Sequence, residues 1–217
     1  MLFRKVDKEL KKKIEALGEW YYYINFDGIE VRRDLKKDET NGFANWNGYL
    51  QYCLPGIEGK RILDIGCNAG VYDLEISRAK AAQTVGVDLN TAQAEFVKEW
   101  FSRKEKRDFG NVRFIKRDAA KDGLSDLGRF DFVCLFAVVY HFREKIDSVM
   151  GEVSRITDTV VLQGNLKRLS SNKYKDRVGT EYAGITGMKD LLKRHGFKKF
   201  HVFAMNNYPK PVVIGER

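Results

Sequence analysis

Histidine, cysteine and long apolar runs are scarce in this sequence of 217 residues, and each shortage closes a class of function. Only His141, His195 and His201 occur, without metal-ligand spacing, so the pattern of a histidine-held metal centre is missing. Cys53, Cys67 and Cys134 are odd in number and scattered, which excludes a disulfide framework and predicts reduced thiols in a cytoplasmic protein. No run of about 18 apolar residues exists, so no membrane span is expected. The start, Met1-Leu2-Phe3-Arg4-Lys5, has no apolar signal core and reads as the beginning of a charged helix. Neither an internal repeat nor a low-complexity tract is present. The length suits one α/β domain with a short extension.

Charge is plentiful. Thirty-nine basic against thirty acidic residues leave a net charge of +9. Such a surplus favours anionic partners such as RNA, nucleotides, phosphosugars or acidic lipids, or it merely solvates the surface. It is spread along the chain and forms no arginine-rich arm, so charge alone does not decide between these.

Periodicity orders the chain. Val6, Leu10, Ile14 and Leu17 mark a helix ended by Gly18. The next stretch, 19–43, holds Trp20, Tyr21, Tyr22, Tyr23, Phe26 and Phe43. It is expected to be extended or irregular and to cover one end of a sheet. A short helix over 46–54 leads into Pro55-Gly56. Strands are predicted at 61–65, 83–88, 111–116, 130–136, 158–163, 197–204 and 211–216, and helices at about 70–80, 91–105, 143–155 and 186–195. Asn90-Thr91 caps the second of these helices and Gly196 ends the last. Alternation of this kind means a parallel sheet with helices on both faces. The turn Asn206-Asn207-Tyr208-Pro209 leaves no room for a crossover helix, so the last two strands form an antiparallel hairpin at one edge. The polar stretch 164–185, with Lys167, Arg168, Lys173, Lys175 and Arg177, reads as a loop over the active site. Together with 19–45 it is expected to close an acceptor pocket, although packing of 19–45 on an outer helix accounts for its aromatics nearly as well.

The segment Arg61-Ile62-Leu63-Asp64-Ile65-Gly66-Cys67-Asn68-Ala69-Gly70 is a buried strand running into a glycine turn and then a helix. This arrangement builds a nucleotide-cofactor site at the carboxyl end of the first strand of an open α/β sheet. The next strand ends in Asp88, 88 − 66 = 22 residues past Gly66, where an acid is placed to accept hydrogen bonds from both ribose hydroxyls. A dinucleotide loop needs a third glycine that lets the helix approach the sheet, and here Gly66-Cys67-Asn68-Ala69-Gly70 is followed by Val71, Tyr72 and Asp73. Asp73 in the first helical turn repels an anion, and Asp64 faces the loop. These carboxylates suit a cofactor bearing an ammonium and a sulfonium better than one bearing phosphates. A solvated loop acid at Asp64 and a helix-capping acid at Asp88 remain the bland alternatives for either residue taken singly.

The segment resembles motif I of the class I S-adenosylmethionine-dependent methyltransferases, with Asn68 in place of the middle glycine, a departure that asparagine's tolerance of left-handed backbone makes mild. The resemblance implies an α/β fold: a seven-stranded, mostly parallel Rossmann-like sheet with an antiparallel C-terminal hairpin and a short N-terminal extension. It implies S-adenosylmethionine as cofactor. By the family's order, Asp64, Gly66, Cys67, Asn68 and Gly70 form the first turn, Asp88-Leu89 meets the ribose, and Asp118-Ala119 lies near the adenine amino group. Phe136 and the following residues, through Tyr140 and His141, line the methyl-transfer centre. His141 is a candidate base; the alternatives are a cap on the following helix or packing under the loop. Tyr140 lines the pocket rather than removing a proton.

Trp46, Ile62 to Cys67, Gly86-Val87-Asp88, Tyr140-His141 and the terminal Tyr208-Pro209-Lys210-Pro211-Val212-Val213-Ile214 are similar, over residues 46–217, to the catalytic domain of the tRNA wobble-uridine carboxymethyltransferase family. On this resemblance Trp46 joins the cofactor set. Residues 1–45, an N-terminal helix and aromatic lid-like extension, do not share it. In that family a carboxylated donor is met by a lysine, a tyrosine and an arginine. Tyr140 matches the tyrosine, Lys210 stands at the arginine position, and the lysine has no matching position. The expected donor is therefore ordinary S-adenosylmethionine. The expected reaction is methyl transfer to a hydroxyl or amine of a small-molecule, sugar or nucleotide-linked acceptor. The alternatives are a tRNA- or RNA-modifying methyltransferase, a catalytically silent cofactor- or RNA-binding module, and a dinucleotide oxidoreductase.

Overall fold

The computed structural model describes residues 7–32, 42–54, 56–174, 177–205 and 208–217. The start of the first predicted helix, the turn residues Asn206 and Asn207, and Lys175 lie outside them.

Among the described residues, nine strands form two sheets. The small one pairs β1 (Ile24–Phe26) with β2 (Ile29–Val31), antiparallel. The large one holds β3 (Arg61–Ile65), β4 (Gln83–Asp88), β5 (Val112–Lys116), β6 (Phe132–Phe136), β7 (Thr159–Gln163), β8 (Lys199–Phe203) and β9 (Val212–Glu216). Its order is β5-β4-β3-β6-β7-β9-β8. The first five run parallel, and β9 runs antiparallel to both β7 and β8. Strands β3, β4, β6 and β7 are near-continuous apolar runs buried on both faces, as the centre of a parallel sheet requires. The expected sheet and its edge hairpin are thus both present.

Five longer helices accompany the sheet: α1 (Lys8–Ala16), α2 (Val71–Arg78), α3 (Ala92–Glu105), α4 (Ile146–Ile156) and α5 (Ile185–Arg194). Asp7 caps α1, accepting from the Glu9 and Leu10 N–H groups. Asn90 Oδ1 accepts from Ala92 N–H at the start of α3.

The aromatic N-terminal segment is more regular than expected. Asp27 and Gly28, both at positive φ, turn β1 into β2, and Phe26 packs edge-on against Phe96 and Trp100 of α3. Trp20 packs on Phe26 at 5.4 Å and donates its indole N–H to the Ile14 carbonyl. Gln93 on α3 donates to the Leu17 and Glu19 carbonyls. Packing on an outer helix is therefore real for this segment.

The predicted helix over 46–54 is a composite: Gly42–Asn45, a π-helical turn Trp46–Leu50, and Gln51–Cys53. Within it Tyr49 donates its hydroxyl to the Phe203 carbonyl and stacks edge-on against Tyr208, whose hydroxyl donates to Asn45. The stretch 164–185 is likewise not an open loop. It folds into short turns at Leu166–Leu169, Asn172–Tyr174 and Thr180–Ala183, with the Arg168 guanidinium between the rings of Tyr140 and Tyr174.

Candidate active site

The sheet order reverses between β3 and β6, so the chains leaving these two tips part and open a crevice at their carboxyl ends. The glycine turn lies there. Gly66 and Cys67 donate their N–H groups to the Val87 carbonyl, tying the turn to β4. Gly66, Asn68 and Gly70 all have positive φ, so Asn68 takes up the left-handed backbone expected of it. A Cβ on Gly66 would lie 2.7 Å from Val138, and one on Gly70 would lie 2.4 Å from the Phe114 ring. At either position any side chain would have to push its neighbour aside and adopt a positive φ that favours glycine. Ala137 and Arg143, across the crevice, also hold positive φ, a strain that persists where the surroundings impose it.

Two clefts meet at this crevice. The first, about 380 Å³, is lined by the tips of β3, β4 and β5, including Asp88, Leu89, Asp118 and Ala119. The Asp88 carboxylate is fixed by two backbone donors, Asn68 N–H at 2.9 Å and Asn90 N–H at 3.2 Å. Beside it Leu89 leaves 64% of its surface in water, an apolar wall facing the cleft. Asp118 accepts from Ala120 N–H and pairs with Lys121 at 3.1 Å. The bond from Lys121, then that from Ala120, holds its carboxyl below the usual range. The second cleft, about 180 Å³, is walled by Tyr21, Tyr22, Tyr72, Phe136 and Tyr140, with Gln163 and Lys210 among its polar lining. Gly66, Asp88, Val138 and His141 line both clefts, so the two communicate there.

Beneath the turn lie two buried acids. Asp64 is 1% exposed and Asp73 is fully buried. Burial, then the charge of its neighbour, raises Asp64 well above the usual carboxyl range; burial raises Asp73 to about 8. Two carboxyls in contact out of water share a proton rather than both ionise. The side-chain oxygen of Asn68, which lines the smaller cleft, has no donor among the described residues. A buried acceptor without a donor is costly, so Asn68 fits a hydrogen-bond-donating group in the cleft.

Of the residues singled out from sequence, Gly66, Asn68, Asp88, Leu89, Asp118, Ala119, Phe136, Tyr140 and His141 line the clefts. Asp64, Cys67 and Gly70 support the turn from below without lining either. Trp46, on the π-helical turn, is buried in the hydrophobic core and lines neither cleft. None of the described residues of 164–185 lines a cleft, and Arg168 backs Tyr140. His141 sits on its own turn, Val139–His141, its ring 4.8 Å from that of Tyr140; α4 begins only at Ile146. Burial pushes the Tyr140 hydroxyl up to about 12. Sequence reasoning missed Gln163 and Tyr72. For Gln163 the available signal was a polar residue at the carboxyl end of an otherwise apolar strand.

Residues 62–159 match a family model described as a methyltransferase domain. The chain is 28% identical over 191 residues to the tRNA U34 carboxymethyltransferase of Pseudoalteromonas translucida, covering 81% of this chain and 54% of that protein. It therefore spans about half the length of the curated relatives it matches. The N-terminal domain of EvdMO1, solved in the presence of SAH and D-fucose, superposes with a TM-score of 0.66 at 19% identity, covering 98% of this chain and 97% of that one. Magnesium protoporphyrin IX methyltransferase from Synechocystis PCC 6803, solved with bound SAM, gives 0.65 at 16% identity over 100% of both chains. At such identities the two structures share the fold.

Proposed function

We propose that the chain, which matches a methyltransferase domain over residues 62–159 and shares the fold of solved methyltransferase structures, transfers a methyl group from S-adenosylmethionine to a hydroxyl or amine of a small-molecule, sugar or nucleotide-linked acceptor. The observation that carries this reading is Asp88, held at the tip of β4 by two backbone N–H groups and open to the larger cleft. It would accept from the ribose hydroxyls, with Leu89 and Ala119 against the adenine and Asp118 at its amino group. Asp88 also sets a carboxylate beside the turn, which suits a cofactor bearing an ammonium and a sulfonium.

When bound, the cofactor supplies an electrophilic methyl whose sulfur leaves as a neutral thioether, so the protein needs no acid for the leaving group. The remaining work is alignment, water exclusion and proton removal, and alignment alone can contribute up to about 7–11 kcal/mol. With the methyl supplied by the cofactor to the acceptor oxygen or nitrogen, His141, which lines both clefts, would take the proton that the acceptor gives up. Tyr140, its hydroxyl pushed up by burial to about 12, keeps its proton and shapes the wall.

A second reading, RNA methylation, draws support from the basic side of the larger cleft, where Arg117, Lys121 and Lys145 stand, and from the tRNA-modifying relatives. Calorimetry with S-adenosylhomocysteine tests the main reading. Asp88→Ala should lose roughly 1.5–3 kcal/mol of binding, the worth of hydrogen bonds to a charged group. Unchanged affinity in the variant, or tight NAD binding by the native chain, would reject it.

A further inference from the structure

We propose that Lys210 and Gln163 form a carboxylate-binding subsite in the smaller cleft, and that the methyl acceptor carries a carboxylate near the atom that is methylated. This deepens the methyl-transfer reading and rests on it.

Lysines ordinarily reach for water with their ammonium. Lys210 is 5% exposed and lines the smaller cleft. The chain around it is fixed. Pro209 and Pro211 restrict the backbone on both sides. The Pro211 carbonyl accepts from Gly164 N–H at 2.8 Å and the Pro209 carbonyl from Leu166 N–H at 2.7 Å. The lysine is thus held in the wall by the end of β7 rather than left as a flexible surface arm.

Gln163, the last residue of β7, lies in register with Val212, two residues beyond Lys210. It is 1% exposed, lines the same cleft, and neither its amide nitrogen nor its amide oxygen has a partner among the described residues. An amide buried with both ends unmet carries a desolvation penalty that a ligand would relieve. An ammonium and an amide N–H on one wall match the two oxygens of a carboxylate, and such charge-assisted bonds are the strong ones.

The rest of the cleft fixes how the acceptor lies. Asp88, on the donor side, repels a carboxylate and keeps it at the Lys210 end. Tyr21, Tyr22, Tyr72 and Phe136 offer aromatic walls to a flat body. His141 lines the same cleft, so one wall anchors the acid group while the base faces the nucleophile. The acceptor class is a hydroxy- or aminocarboxylate with a planar body, of a size near that of a single ring, since about 150 Å³ suffices for benzene.

The test uses the full chain saturated with S-adenosylhomocysteine, with benzoate and its neutral isostere benzamide as probes in calorimetry. The native protein should bind benzoate at least tenfold tighter than benzamide, a gap of about 1.4 kcal/mol. Lys210→Met should abolish that preference, Lys210→Arg should retain it, and both should keep S-adenosylhomocysteine affinity within twofold. Should Lys210→Met not fold, Gln163→Met keeps the cation and should still weaken benzoate several-fold. Equal binding of benzoate and benzamide overturns the proposal. So does a tenfold loss of S-adenosylhomocysteine affinity in Lys210→Met, which assigns the cation to the donor's own amino-acid carboxylate. A carboxylated donor that binds at least tenfold tighter than S-adenosylmethionine, through Lys210, overturns it too and makes a tRNA wobble-base function the leading reading. If the native chain binds no S-adenosylhomocysteine, the methyl-transfer reading fails on its own, and the benzoate–benzamide comparison on the unliganded chain still decides the subsite.

Discussion

Asp73 occupies the first turn of α2, where an acid normally interacts with the helix N-terminus from the surface. Here it is buried against Asp64 and the backbone of β4, close enough to Gly86 that a Cβ there would lie 2.9 Å from its carboxylate oxygen. Burial raises both carboxyls, Asp73 to about 8. The folded chain therefore holds more protons than the unfolded one between the ordinary carboxyl range and about pH 8, and this pair makes stability fall as pH rises through that window. Replacing Asp73 by asparagine removes that ionisation and supplies an amide able to donate to Asp64. Asp73→Asn should melt at a higher temperature than the native chain at pH 8, with the gap closing toward pH 5. Scanning calorimetry across that range checks this, and parallel pH profiles for the two chains would refute it. The two acids were both visible in the sequence, but their contact was not: nothing in the spacing of Asp64 and Asp73 says that the helix turns the second one inward onto the first.

At the level of elements, the strands were legible because apolar runs between turn residues leave little freedom. Every strand of the large sheet lies within two residues of its predicted ends. The hairpin β1–β2 was missed although its signal was present. Asp27-Gly28 between apolar Phe26 and Ile29 is the pair that a tight two-residue turn demands. The aromatic richness of the neighbourhood obscured it. The composite helix 42–53 was illegible for a different reason: a π-helical turn inserts an extra residue, so helical spacing cannot say which way Trp46 points. Tyr21 and Tyr22 do reach the smaller cleft, as the aromatic content of 19–45 suggested, while their neighbours Trp20 and Phe26 clamp the segment onto α3. Trp20 carries much of that clamp. Trp20→Ala should cost about 3–5 kcal/mol, the usual range for a buried tryptophan, read as a lower midpoint in urea. A loss under about 1 kcal/mol would mean that the segment is attached mainly by its backbone.

For the whole molecule, a net charge of +9 invites RNA, and the relatives point the same way. Charge spread around a domain gives only weak, salt-sensitive attraction, with dissociation constants near 10⁻⁴–10⁻⁶ M. A small carboxylate acceptor therefore predicts that unfractionated tRNA binds this chain only in that range at physiological salt. A filter-binding constant in the nanomolar range at that salt would favour the RNA reading. The cofactor side of the site was readable because one continuous stretch, the β3 turn and the tip of β4, contains most of it. The acceptor side was less so, because Tyr21, Phe136, Gln163 and Lys210 come from four separate parts of the sequence and only the sheet order brings them together.

That difference in sequence distance has a kinetic consequence. The larger cleft closes with chain segments from 65 to 145. The smaller one also needs Tyr21 and Tyr22 from the N-terminal segment and Lys210 from just before β9, and the chain before Lys210 is held to the composite helix by Tyr49 to Phe203 and Tyr208 to Asn45 across 154 and 163 residues. Contacts over so long a loop form only after the sheet has assembled around them. The Tyr49–Tyr208 clasp should thus have low φ-values: weakening it should hasten unfolding and barely slow folding. During folding the chain would acquire its nucleotide pocket first, as a half-built enzyme able to hold a cofactor before it has anywhere to put a substrate.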